Sequence, residues 1–334
     1  MAGWVWRRAL GDALDRGAVH DDGQAVVVEA AQRYKAGMHD HTVHVPVLLD
    51  EVLHWLQPTP GAVLVDGTLG GGGHTRELAQ RVAPDGRIVS LDRDPQAVER
   101  TSPTLAGLPA TAVHASYAEL PEVLRSLALP PVDGILLDLG LSSDQLASAD
   151  RGFSFHCDGP LDLRFDPESG RPAWQWLERI PADELANLIY EYGEERHSRR
   201  IAREIVDRRR TDPIRTAVQL AELVRRCVPR GRHDRIDPAT RTFQALRIAV
   251  NEELVQLSDA LRVFPECVRP GGRVAIISFH SLEDRIVKQA FRSDSRWEIL
   301  TKKPIWPGDA EQESNPRSRS ARLRVAARRA DEAA

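Results

Sequence analysis

Three short apolar runs each end in an aspartate. Val63-Leu64-Val65 runs into Asp66, Arg87–Leu91 into Asp92, and Val132–Leu137 into Asp138. Between the first two lies Asp66-Gly67-Thr68-Leu69-Gly70-Gly71-Gly72-Gly73-His74. Such a glycine run lets a ligand approach the backbone and permits positive φ, and amides at the start of a following helix suit a carboxylate or phosphate. A Walker A loop would need Gly-Lys-Ser/Thr, and no Lys is present. The G-x-G-x-x-G dinucleotide pattern fails in both registers, because Thr75 and Arg76 stand where its last glycine belongs. S-adenosylmethionine has no pyrophosphate and does not require that glycine. It does require an acid after the second strand for the ribose hydroxyls, and Asp92 is in place. A further segment, Ser278-Phe279-His280 with Glu283, Asp284 and Arg285, could supply a base, a base-edge reader or a metal ligand. It could equally be a capped helix start, with Ser281 as N-cap and Asp284 at N3.

These residues must be carried by elements. Short apolar runs alternate with helical patterns from Val63 to Asp138: helices at Thr75–Val82, Pro95–Ala106 and Leu120–Leu129, and a third strand at Ala112-Val113-His114. That alternation predicts a parallel sheet covered on both faces. Residues 141–250 then read as helices only (Ala173–Arg179, Ala182–Tyr192, Arg196–Arg210, Thr216–Cys227). Asn251–Cys267 is a further helix, Arg269–Gly272 a turn, Arg273–Phe279 another strand of the first kind, and Leu282–Phe291 a helix. Trp297–Leu300 and Ala321–Ala327 are candidate closing strands. The expected organisation is an N-terminal extension over 1–42, one α/β domain over 43–140 and 251–327, a helical substrate-recognition insert over 141–250, and a tail over 328–334. Residues 1–37 carry no strand or ligand motif, and a chain starting at Met38 is expected to keep fold and chemistry.

Composition narrows the function. The 334 residues are 42% apolar with net charge −4, an ordinary globular mix. No apolar run approaches the roughly 20 residues of a membrane span. Cys157, Cys227 and Cys267 are too few and too scattered for a disulfide framework or zinc cluster, which points to the cytoplasm. Residues 196–235 hold thirteen Arg against five acids. This basic segment in an acidic chain is either a polyanion-facing surface, with Arg208 and Arg209 among its candidates, or a solvated helix face. Gln244, Arg247 and Asn251 share one helical face at i, i+3 and i+7. That face could hold RNA or dock the insert on the core. Asn315–Ser320 is either a basic RNA-contacting lead-in or a solvated tail.

The words His44–Glu51, Asp66–His74, Leu91–Pro95, Asp133–Gly140, Ser142-Ser143, Gln145-Leu146, Arg151–Phe155, Asp158–Asp162, Gly193–Arg196, Pro238–Ile248, Ile277–Lys288 and Asn315–Arg317 occur in one order over residues 44–326. In that pattern the chain resembles the bacterial small-subunit rRNA cytosine-N4 methyltransferase H family, also called MraW. It departs from the family at Asp237, where His is usual, at Leu163, where Met is usual, and at Tyr117, where Phe is common. The resemblance implies a class I S-adenosylmethionine-dependent methyltransferase, Rossmann-like and mostly parallel, with an inserted helical domain. It implies cofactor contacts at Gly72, Gly73, His74, Asp92, Tyr117, Asp138 and Gln145, and methyl transfer to the N4 of a decoding-centre cytidine in 16S rRNA, within a small-subunit particle. Asp138 and His280 are the catalytic candidates, Asp138 facing either the cofactor ammonium or the target amine, and no metal is expected. The oligomeric state stays open between monomer and homodimer. A DNA amino-methyltransferase, a non-catalytic cofactor-binding scaffold and a nicotinamide dehydrogenase are the rival readings.

Overall fold

Leu64 and Val65 are each 1% exposed, yet they belong to different apolar clusters. Leu64, Ile88, Leu136 and Ile277 join Val52, Leu56, Leu78 and Val82 on one side. Val65, Val89, Leu137 and Ile276 join Leu120, Leu257, Phe264 and Phe291 on the other. Alternation of this kind along every strand requires helices on both faces of a sheet.

The computed structural model describes residues 46–155, 158–229 and 237–330. The expected extension over 1–42 and the dispensability of 1–37 lie outside the described residues. So do His44, Cys157, Arg230, Arg232, Arg235 and residues 331–334 of the expected tail. In chain order the elements begin α1 Leu49–Leu56, β1 Val63–Asp66, α2 Gly73–Val82, β2 Arg87–Asp92, α3 Pro95–Thr101, β3 Ala110–His114, α4 Leu120–Ser126 and β4 Val132–Asp138. Helices α5 Ser143–Ala147, α6 Ala173–Arg179, α7 Ala182–Gly193, α8 Ser198–Arg208, α9 Ala217–Cys227 and α10 Ala239–Asn251 follow. The chain closes with α11 Glu253–Cys267, β5 Val268–Ser278, α12 Ser281–Ser293, β6 Trp297–Ile299, α13 Asp309–Ser314 and β7 Arg322–Arg328.

The sheet order is β3-β2-β1-β4-β5-β7-β6. The first five strands are parallel and β7 runs antiparallel between β5 and β6. This is the strand order of class I methyltransferases. It reverses between β1 and β4, so a crevice opens at the carboxyl ends of those two strands. Among the described residues no helix is long and apolar enough to cross a membrane, and Cys227 and Cys267 are free and buried.

Several boundaries differ from the sequence reading. The helix expected over Pro95–Ala106 ends at Thr101 and continues as a 3-10 turn over Ser102–Leu105. Pro103 there can donate no amide. The helix expected to Leu129 stops at Ser126, and Ala128 takes φ +51°. Arg269–Gly272 is not a separate turn. It loops out within β5, whose register against β4 slips from Val132↔Val268 to Gly134↔Arg273. The helix expected over Asn251–Cys267 starts two residues later: α10 ends at Asn251, Glu252 takes φ 52°, and α11 begins at Glu253.

Residues 153–246 contribute a third cluster, with Phe153, Leu161, Leu177, Ile189, Ile201, Leu220, Val224, Phe243 and Leu246 at its centre. Two buried residues join it to the loop after β2, Arg151 through its side chain and Asn251 through its carbonyl, which accepts from Arg93. Arg151 is 5% exposed, lies 3.3 Å from the Asp94 carboxylate and donates to the carbonyls of Arg164 and Phe165. Asn251 is 3% exposed; it accepts from Phe165 N–H at 2.7 Å and donates to the carbonyls of Leu163 and Arg247. Asn251→Ala would leave the Phe165 amide and Leu163 carbonyl unmatched. It should lower unfolding free energy by about 1–3 kcal/mol, read in a denaturant melt, while cofactor affinity in the folded protein is unchanged.

Candidate active site

The glycine loop is fastened by hydrogen bonds before any ligand is considered. Asp66, 1% exposed, accepts from the Thr68 amide and hydroxyl and, at 2.7 Å, from Thr75 Oγ1. Thr68 Oγ1 in turn accepts from Asp138 N–H at 2.7 Å. Asp66 therefore ties the ends of β1 and β4 to the start of α2 and is a structural residue. Gly72 is the N-cap of α2 with φ 73°; no side chain caps that end and its first turn carries no acid. The leading amides of this ten-residue helix are thus available to an anion. A Cβ on Gly72 would meet Thr101 Cγ2 at 2.6 Å, and one on Gly67 would meet Leu137 Cδ2 at 2.3 Å. Both positions need glycine.

Asp92 ends β2, where one oxygen accepts from Gly70 N–H at 2.8 Å and the other from Asp94 N–H at 2.9 Å. Burial pushes its carboxyl up to about 6, against the pull of those two amides. Each oxygen keeps a lone pair for a hydroxyl. Asp138 ends β4, and its Oδ1 is buried with no hydrogen-bond partner. Burial raises this carboxyl also to about 6, the nearby His74 opposing and Asp66 adding to the rise. His74 is 4% exposed; its Nε2 lies 3.0 Å from the Val47 carbonyl, which accepts, and its Nδ1 faces Asp138 Oδ2 at 3.6 Å. Tyr117 follows β3, and burial, then the charges of Glu253 and Glu283, holds its hydroxyl above the ordinary range. Gly72, Gly73, His74, Asp92, Tyr117 and Asp138 are thus gathered around the reversal of strand order. An uncapped helix start and a strand-end acid fit the carboxylate and ribose hydroxyls of S-adenosylmethionine.

Other expected residues face inward. Gln145 is 7% exposed; its Oε1 accepts from Ser142 N–H and its Nε2 donates to Asp94. It is the N3 residue of a capping box on α5, so both of its polar atoms already brace the loop beside the site. The Gln244–Arg247–Asn251 row is a docking seam, not an RNA-facing surface. Gln244 donates to the Tyr192 carbonyl, Arg247 grips Glu253 through two bonds of 2.7 and 2.8 Å, and Asn251 is buried as described. The basic segment is similarly mixed. Arg209 donates to the carbonyls of Leu177 and Ile180, closing the end of α6, and Arg208 is paired with Asp212 at 2.6 Å. Neither is a free cation. On the same helix Arg199, Arg200 and Arg203 are exposed opposite buried Ile201, Ala202 and Ile205.

His280, not Ser281, is the N-cap of α12, and Glu283, not Asp284, is N3. The His280 side chain accepts from Glu283 N–H, and Glu283 accepts from Phe279 and His280 N–H. Asp284 instead meets Arg324 at 2.6 Å. Glu253, His280 and Glu283 bring one ligating atom each within 4.8 Å of the others. Arg247 already clamps Glu253, so a guanidinium supplies the positive charge a metal would bring. Burial would raise the Glu283 carboxyl, but His280, Arg247 and the Phe279 amide together lower it. The sequence reading missed Arg317, which inserts between the Leu141 carbonyl and Ser143 Oγ. Burial lowers its pKa, opposed by Asp138 and Asp144. It is neither a free RNA contact nor a solvated tail residue. It missed Glu253 and Arg151 as well. Arg151 stands in a word quoted for the resemblance, and only its burial reveals the role.

The sequence profile of the MraW methylase family matches residues 41–329. A protein of Rhodopirellula baltica named ribosomal RNA small subunit methyltransferase H is 52% identical over 298 residues, 86% of this chain and 92% of the relative. Proteins of the same name from Deinococcus radiodurans and Thermomicrobium roseum are 51% and 46% identical, over 86% and 89% of this chain and 90% and 98% of theirs. Among solved structures, a putative rRNA methylase from Clostridium thermocellum aligns with TM-score 0.42 at 13% identity, over 84% of this chain and 94% of that one. With a crevice of this geometry and identity of this extent, the chain belongs to the MraW methylase family of S-adenosylmethionine-dependent methyltransferases.

Proposed function

We propose that the protein methylates the exocyclic N4 of a cytidine in small-subunit rRNA, at the decoding centre and within a small-subunit particle. The names of the relatives support rRNA as the substrate. The observation that carries the amine chemistry is the buried, unpartnered Asp138 Oδ1 at the carboxyl end of β4. Bound S-adenosylmethionine supplies an electrophilic methyl group on a sulfonium. The start of α2 receives the cofactor carboxylate and Asp92 its ribose hydroxyls. The target base must leave its stack to reach the site. Asp138 Oδ1 then accepts an N–H of the amine, which turns the nitrogen lone pair toward the methyl. The same oxygen would take the proton that the amine gives up on methylation. His74, fixed on the Val47 carbonyl, keeps Asp138 oriented.

The test is incubation with labelled cofactor and naked 16S RNA, small subunits or duplex DNA, followed by nucleoside mass spectrometry. N4-methylcytidine from RNA or subunits supports the reading. Methyl transfer confined to DNA, or none at all, overturns it in favour of a DNA enzyme or a non-catalytic binder.

Asp92→Ala should weaken cofactor binding by roughly 1–3 kcal/mol, measured by calorimetry. Asp138 acts as its carboxylate, which predominates above about 6 in the ligand-free protein, so kcat/KM should fall as pH drops through that value and level off above it. Asp138→Asn should lower kcat by about 10²- to 10⁴-fold and abolish that limb of the profile. Replacing Arg199, Arg200 and Arg203 together with Gln should flatten the slope of log K for RNA against log salt by roughly 0.7 for each phosphate no longer neutralised; an unchanged slope would leave that helix face merely solvated.

A further inference from the structure

Trp306 is 49% exposed on the same end of the sheet as Asp138. A ladder of paired residues places it there: Asp138 pairs Ile277, Ile277 pairs Leu323, and Leu323 forms an isolated bridge with Ile305. Three strand spacings of about 4.8 Å put Ile305 about 14 Å from Asp138. The indole is firmly mounted. The Ile305 amide and carbonyl both bond Leu323 at 2.9 Å, and the carbonyl of buried Pro307 accepts from Gln312 Nε2. The Arg322 guanidinium lies over one ring face, 4.9 Å from its centroid, and its Nε is buried without a partner. Lys302, Lys303 and Arg319 are exposed nearby in sequence or strand register. Two of only four lysines in the chain therefore precede this indole. The acids of α13 only partly offset them: Asp309 and Glu313 are exposed, while Glu311 is turned inward to accept from Leu48 N–H at 2.8 Å.

We propose that Trp306 is a stacking platform for an unpaired base of the RNA strand carrying the target nucleotide, with Lys302, Lys303 and Arg322 facing the adjoining phosphates. The proposal rests on RNA being the substrate. An aromatic face accepts any base, and flanking cations follow the backbone, which is how single strands are gripped without sequence readout. A base held on the residue after Ile305, whose backbone lies about 14 Å from Asp138, would keep the flanking strand from restacking on the flipped cytidine. This gives the sheet edge a grip on RNA separate from the arginine face of α8.

The test measures binding of a fluorescent single-stranded RNA oligonucleotide at equilibrium and, separately, the kinetics of methyl transfer. Trp306→Ala should weaken RNA binding by about five- to a hundredfold and raise KM for RNA. Cofactor affinity, melting temperature and kcat at saturating RNA should stay at wild-type values. Trp306→Phe should restore most of the binding, and Lys302→Gln with Lys303→Gln should reduce its salt dependence. Unchanged RNA affinity in Trp306→Ala overturns the proposal. So does an equal loss in the Ala and Phe variants together with a lowered melting temperature, which would mean that the indole packs on protein. If wild-type protein binds RNA but transfers no methyl to it, the functional reading fails while the binding arm still decides the platform.

Discussion

The structure depends on one short relay of hydrogen bonds at the reversal of strand order. Asp138 N–H donates to Thr68 Oγ1, whose hydroxyl donates to Asp66, which also takes the Thr75 hydroxyl. Thr75 Oγ1 lies 2.9 Å from Ser90 Oγ, so β1, β2, β4 and α2 meet at one buried polar cluster. A glycine loop without this relay would sample many conformations. With it, the backbone at Gly70 is placed where Asp92 can receive its amide, and the start of α2 opens toward the crevice. Asp66 thus acts on ligands only through the loop it shapes, although it is the first of the strand-end acids along the chain.

The insert is positioned by a second set of buried polar residues. Arg151 reaches from the insert to Asp94 on the core, and Gln145 meets the same carboxylate. Arg93 donates to the Asn251 carbonyl, while the Asn251 side chain holds the loop at Leu163 and Phe165. Residues adjoining Asp92 therefore touch the helical insert directly. Buried polar networks are costly when half satisfied, and here each partner sits on a different body, so the insert has few alternative seats. This coupling gives the carboxyl end of β2 and the insert a shared mechanical frame.

The sheet was legible because each strand is a short apolar run punctuated by Asp, Gly or Pro, with helical periods between. The helical character of residues 141–250 was legible for the same reason. The placement of Asp92 and Asp138 at one crevice could be read because strand-end acids in an open parallel sheet converge whatever their separation in sequence. What escaped was the direction of polar side chains on helices. Spacing put Gln244, Arg247 and Asn251 on one face, and it could not tell whether that face met solvent or α11. The same ambiguity concealed Arg209 and Arg317, whose partners lie 29 to 176 residues away. His280 was misread as lying outside the cap because imidazole is an uncommon N-cap, and only the Glu283 amide beside Nδ1 reveals it.

Three carboxylates gather at this crevice, and their mutual repulsion bears on the cofactor. Asp66 raises the carboxyls of both Asp92 and Asp138, on top of their burial, and Glu283 raises Asp138 further. Like charges at close quarters in a poorly solvated site disfavour joint ionisation. A ligand bearing a sulfonium and an ammonium against a single carboxylate brings a net positive charge into that field. Its binding draws Asp92 and Asp138 toward the ionised state, and by linkage it is favoured where they are already ionised, above about 6. The product of transfer is a neutral thioether that has lost the sulfonium charge. The crevice that attracts the cofactor as a cation thus retains its spent form less firmly. Charge placement in this site therefore favours both capture of the cofactor and release of what remains.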